Sequence, residues 1–300
     1  MSQIVLCATQ RCGSTMIIED MRNTGCLGQP EEWFVPWDPD KQVNWHEAFA
    51  GVIKRASGDN GVMAVKVMAN QLHNINACLT EVFPVETDSD PTSDFDHFAR
   101  AFQQAKWVKI TRRDTVAQAI SRLMAKQTGI NHATANPEDA HFAGNLARGY
   151  DTDYNSKTVY NYDTLLNYVT AIVLENLAWS RFFASHGITP VELIYEDVAR
   201  DAEMTHLDAI AGLIGLEAEP ERQPRTMVKM GNSRNHDRSE EHTSELQSRF
   251  GITTGANGSF ATPPKTGFYR PTSSLKRRFL CAARVRRCRI ATALLCDSSF

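Results

Sequence analysis

The chain has 300 residues, 42% of them hydrophobic and 22% charged, the balance of a globular fold with ample material for a core. No apolar run approaches the ~20 residues that span a bilayer, the opening MSQIVLCATQRCGST turns polar too early for a secretory leader, and seven irregularly spaced cysteines fit neither a disulfide framework nor a CxxC zinc site. The net charge of −3 hides an asymmetry, because residues 238–300 hold 11 Lys and Arg against 4 Asp and Glu, a net +7 that leaves −10 on residues 1–237.

In chain order, Ile4–Ala8 (IVLCA) is a short apolar run suited to a parallel strand buried on both faces. The loop Thr9–Ser14 follows, then a helix over Thr15–Arg22, with stop and turn signals at Thr24-Gly25 and Gly28-Gln-Pro30. Further strands are expected at Val62–Met68, Trp107–Ile110 and Val191–Tyr195. Helices are expected at Thr115–Gln127, Thr164–Ser185 and Met204–Leu216, and Glu81–Phe95 reads as a loop rich in Asp, Ser, Thr and Pro. Strands alternating with helices, without hairpins, predict an α/β fold with a parallel sheet covered on both faces.

Two segments offer chemistry. In QRCGST, Gly13, Ser14 and Thr15 open a helix, where leading amides and the helix dipole suit a phosphate or sulfate. Gly13 permits close approach of the backbone, the hydroxyls of Ser14 and Thr15 add donors, and Arg11 adds charge. No GxxxxGK[ST] spacing is present, so this is not a Walker A loop, and a plain turn with a Ser/Thr cap explains the same residues. In TRRDTVAQAIS, Arg112 lies at the carboxyl end of a strand, where open α/β sheets bind ligands, and Ser121 lies two turns into the next helix. An arginine fork with a hydroxyl makes a phosphate clamp, although an exposed charge cluster capped by Asp114 is the simpler reading. Trp33, Trp37 and Trp45 suit either sugar stacking or core packing, and the histidines show no metal-ligand spacing.

QRCGST, GQPEEWF (28–34), VKVMANQ (65–71), TRRDTVAQAIS (111–121) and Tyr195-Glu-Asp197, in that order, resemble the sulfotransferase superfamily, and more narrowly the bacterial trehalose 2-sulfotransferase family, over residues of about 3–236. The resemblance implies a P-loop-like α/β fold and 3′-phosphoadenosine 5′-phosphosulfate as sulfuryl donor. By its pattern Arg11, Cys12, Gly13, Ser14 and Thr15 form the 5′-phosphosulfate loop, and Arg112 (with Arg113 as competitor) and Ser121 hold the 3′-phosphate. Cys12 stands where the family often has serine, a change that keeps the backbone donors. Glu32 falls at the family's proposed general base, with Glu31 beside it, and Lys66 matches a lysine that supplies charge near the donor or binds the acceptor. The implied reaction is sulfuryl transfer to a hydroxyl of a carbohydrate or glycolipid, trehalose-like, in the cytoplasm. It needs no metal, nucleic acid or stable membrane insertion, and a homodimer is implied. The alternatives are a P-loop-like small-molecule kinase and an inactive nucleotide-binding or oligomerisation module.

Arg238–Ser248 (RSEEHTSELQS) resembles the conceptual translation of a sequencing-library adapter. The expected organisation is therefore a C-terminally truncated sulfotransferase domain over 1–237 and a non-native, poorly ordered tail over 238–300, with Arg234 near the break. A genuine basic arm for nucleic acid or membrane is the rival reading.

Overall fold

The structure, a computed structural model, describes residues 2–85, 95–135, 146–148 (backbone), 156–217, 219–227, and the single residues 240 and 244. The expectations for Arg234 and for the tail at 238–300 lie outside the described residues but for those last two. So does most of the loop read at Glu81–Phe95.

The central sheet has four parallel strands in the order β2-β1-β3-β6: β1 (Gln3–Ala8), β2 (Met63–Met68), β3 (Lys106–Thr111) and β6 (Val191–Ile194). Side chains alternate across it. Val5, Cys7, Met63, Val65, Val67 and Trp107 enter one core, while Ile4, Leu6, Ala8, Ala64, Val108 and Ile110 enter the other. Both faces are covered, which is why IVLCA reads as an unbroken apolar run.

The first core is closed by α2 (Trp45–Ala56), α3 (Leu72–Val82), α4 (Asp96–Ala101) and the C-terminal part of α6 (Tyr162–Ser185). It is aromatic, with Phe34, Phe98, Phe102, Trp107, Trp179 and Phe182 buried together. The second core is closed by α1 (Ser14–Asn23), α7 (Tyr195–Arg200) and α8 (His206–Leu213). The remaining helix, α5 (Thr115–Thr128), packs on α6 through Ala119, Ile120 and Met124 against Leu165, Val169 and Ile172. A separate pair of three-residue strands, β4 (His132–Thr134) and β5 (Leu146–Arg148), runs parallel.

The expected strands and helices are present, with one local correction. Tyr195, read as the end of a strand, opens α7 instead. Trp37 and Trp45 are buried in the aromatic core, 4.9 Å from Phe34 and 5.1 Å from each other respectively, so packing claims their rings. Trp33 stays half-buried under the Arg55 guanidinium, 5.2 Å from its ring centre.

Because β2 and β3 flank β1 on opposite sides, chain direction across the sheet reverses at β1. The carboxyl ends of β1 and β3 therefore open a crevice at a topological switch point, and QRCGST and Arg112 both lie there. Among the described residues no helix is long and apolar enough to cross a membrane.

Candidate active site

The loop after β1 enters α1 through Gly13, which sits at φ 89° as the N-cap and gives the helix no side-chain cap. Ser14 and Thr15 lie inside the helix, so the simple Ser/Thr-cap reading does not describe this turn. The first amides of the helix have no intrahelical acceptor, and no acidic side chain occupies the first turn. A Cβ on Gly13 would stand 2.1 Å from the Tyr195 ring, so glycine is required by both backbone and contact. Arg11 also takes a left-handed conformation, φ 65°. Cys12 is fully buried, and burial pushes its thiol up despite the nearby Lys66, so it stays protonated.

One face of α5 grips the loop. Gln118 donates to Thr9 Oγ1 at 2.8 Å and to the Gln10 carbonyl at 2.7 Å. Arg122 donates to the same carbonyl at 3.1 Å while its guanidinium pairs with Glu175 on α6. Ser121 Oγ accepts from Arg11 Nε at 2.9 Å. Positions 118, 121 and 122 share a helix face, which explains why QAIS must follow the strand at a set distance.

The expected pair Arg112 and Ser121 meets through Arg11 rather than directly: Arg112 Nη1 lies 3.4 Å from the Arg11 carbonyl oxygen. The two neighbouring arginines separate cleanly. Arg113 is clamped by both oxygens of Asp197, the first at 2.7 Å. Arg112 instead lies 5.1 Å over the Tyr195 ring, 3.8 Å from Glu196, and its buried Nε has no hydrogen-bond partner. Glu196 also accepts from the backbone N–H of Arg113 at 3.0 Å and Asp114 at 3.3 Å. Tyr195-Glu-Asp thus holds the whole Arg112-Arg-Asp segment, Tyr195 and Glu196 on Arg112, Asp197 on the Arg113 side chain and Glu196 on the following amides, a role that the short motif did not announce.

The carboxylates of Pro30-Glu-Glu also separate. Glu31 pairs with Arg22 of α1, while its carbonyl accepts from the Lys66 amide at 3.0 Å and fixes the segment to the edge of β2. Glu32 turns the other way. Its Oε1 is 3.0 Å from Lys66 Nζ, and its Oε2 accepts from Gln71 Nε2 at 3.0 Å. Lys66 is 2% exposed and lies 3.5 Å from Thr15 Oγ1, which joins the carboxylate to the loop. Gln71 belongs to the same VKVMANQ segment as Lys66, and its part went unread.

His132, which no motif signalled, completes the cluster. Its Nε2 lies 3.5 Å from Thr15 Oγ1, and Arg11 donates to the carbonyl of the preceding residue, Asn131. Burial, then Arg11, then Lys66 push its imidazole down to about 3. Arg11, Lys66 and Arg112 therefore bring three cations to one crevice beside a helix N-terminus, an arrangement suited to a ligand with more than one anionic group. Among the described residues no group of three His, Cys, Asp or Glu side chains is placed to hold a metal ion.

The Stf0 sulphotransferase model matches residues 3–245. The chain is 25% identical over 290 aligned residues to trehalose 2-sulfotransferase of Mycobacterium tuberculosis, a match covering 82% of this chain and 96% of that one. The family match runs through the loop, the segment bearing Glu32 and the α5 clamp, and continues into the segment that begins at Arg238. With every element of the crevice inside that match, the chain belongs to the Stf0 sulphotransferase family and is a sulfotransferase.

Proposed function

We propose that the enzyme moves a sulfuryl group from 3′-phosphoadenosine 5′-phosphosulfate to a hydroxyl of a trehalose-like carbohydrate or glycolipid. The observation that carries this reading is the coupling of Glu32 to the loop through Lys66, at 3.0 Å on the carboxylate side and 3.5 Å on the Thr15 side. The crevice fits the donor on its own chemistry: an uncapped helix start for the phosphosulfate, and Arg112, whose buried Nε makes no hydrogen bond and only a 3.8 Å approach to Glu196, for a second phosphate. When bound, the donor supplies an activated sulfuryl group and a leaving adenosine 3′,5′-bisphosphate.

In this reading the amides of Gly13, Ser14 and Thr15 hold the phosphosulfate with Arg11, and Arg112 and Ser121 hold the 3′-phosphate. Glu32 accepts the acceptor hydroxyl's proton, since an alcohol is a weak nucleophile until that proton is taken. Lys66 and Gln71 orient Glu32, and Lys66 adds charge where negative charge spreads during transfer. No metal has a role. Trehalose-like acceptors rest on the named relative, and the exposed Val173, Leu174 and Leu177 of α6 give the implied homodimer an apolar surface to cover. The described cysteines Cys7, Cys12, Cys26 and Cys78 are free thiols, in keeping with a reducing cytoplasm. In this reading residues 1–237 form the enzyme and 238–300 are foreign to it, the family match ending eight residues past that boundary, at 245.

The test is incubation with donor labelled in the sulfuryl group and a panel of sugars including trehalose. Label is expected on a sugar hydroxyl, both before and after proteolytic removal of the chain beyond about residue 237. Label found on no acceptor would overturn the acceptor class, and activity lost with the tail would return that segment to the enzyme.

A further inference from the structure

We propose that His132 is a further ligand of the transferred sulfuryl group and takes up a proton from solvent as that anion binds. This rests on the donor reading above.

The placement of His132 is secured from two sides. Arg11 bonds the Asn131 carbonyl just before it. Beyond it, the Thr226 carbonyl accepts from the Ala135 amide at 2.9 Å and from Thr134 Oγ1 at 3.3 Å. Thr226 is itself tied to α1 through Glu19 at 2.7 Å, and Arg225 is tied to α1 through Asp20, also at 2.7 Å. Strand β4 is thereby pinned to the helix that carries Thr15.

The charged groups around the ring explain the proton. Among the described residues, Arg11 faces it from the loop and Lys66 from β2, Thr15 of α1 and Ser121 of α5 bring hydroxyls, and Glu32 enters through Lys66. In this field the imidazole is neutral, with its folded value at about 3. An anion seated between Arg11, Lys66 and Thr15 brings negative charge beside both cations and favours the charged ring. The sign follows: binding raises the imidazole value, so affinity for the anion grows as pH falls through the ordinary histidine range.

The experiment is nitrogen-15 NMR of the histidine rings in the full chain at about pH 6.5, near the ordinary histidine value, with His132 assigned through His132→Gln. Spectra are taken alone, with saturating inorganic sulfate, and with adenosine 3′,5′-bisphosphate. Calorimetry with sulfate, whose own charge does not change, counts protons by comparing two buffers. We expect the His132 ring to pass from neutral to imidazolium with sulfate and to stay neutral with the bisphosphate, which lacks the sulfuryl group, and sulfate binding to carry proton uptake that His132→Gln abolishes. Sulfate affinity should fall about tenfold in the variant, as for loss of one hydrogen bond to a charged group. A ring that stays neutral while sulfate binds overturns this proposal, and leaves the donor reading standing where the bisphosphate also binds. Failure of the wild-type chain to bind either ligand overturns both. A lowered melting temperature in His132→Gln with unaltered proton uptake assigns the residue to structure alone.

Discussion

Glu32→Gln is expected to bind adenosine 3′,5′-bisphosphate as the parent enzyme does and to lose about 10²- to 10⁴-fold in turnover, the usual contribution of a positioned general base. The amide keeps the shape and can still accept from Lys66, which sits 3.0 Å from the carboxylate, so the crevice should keep its form. What it loses is the capacity to take a proton. Steady-state kinetics should therefore show kcat falling with little change in donor KM. Glu31→Gln is the control, because Glu31 serves Arg22; its effect on turnover should be small. A reversal of the two results would transfer the base to Glu31, and two mild results would remove both carboxylates from proton transfer.

Gly13→Ala should weaken the same ligand by about a hundredfold or more. A non-glycine residue in the left-handed region costs about 1–2 kcal/mol, and the added Cβ would stand 2.1 Å from the Tyr195 ring. Tyr195 cannot retreat freely, because its other neighbour is Arg112, 5.1 Å from the ring centre. One methyl group thus disturbs the loop after β1 and the placement of Arg112 together, the two groups proposed to hold the donor. Adding Tyr195→Ala removes the clash but not the backbone cost, so the double variant should recover part of the affinity. Binding by Gly13→Ala at parental strength would show that the loop reaches its ligand in some other conformation.

These two residues were legible to different degrees. Gly13 stood out because a strand, a glycine-bearing loop and a helix follow one another, and local sequence dictates that turn. The choice between Glu31 and Glu32 was not legible, since consecutive residues in an irregular segment carry no periodicity that assigns a face. It took Arg22 from α1 and Lys66 and Gln71 from the β2 segment to turn them apart. Arg112 and Arg113 posed the same problem, and Tyr195-Glu-Asp, distant in sequence, sorts them. The sheet was readable because strands buried on both faces are continuous apolar runs. Helix α2 was missed because Gly51 interrupts its pattern, and β4 because three residues are too few to show a period. His132 reaches Thr15 only through tertiary placement, so no spacing in the chain could point to it.

The central claim, that the crevice holds a nucleotide bearing both a 5′ anion and a 3′-phosphate, is tested most directly by calorimetric titration with adenosine 3′,5′-bisphosphate and with ADP, on the parent chain and on Arg112→Ala. The bisphosphate should bind the parent chain far more tightly than ADP. Loss of charge-assisted bonds worth about 1.5–3 kcal/mol should weaken the bisphosphate by about 10- to 100-fold in Arg112→Ala, with ADP affected little. ADP binding as tightly as the bisphosphate, with equal losses for both in Arg112→Ala, would contradict the account and put Arg112 in a purely structural role.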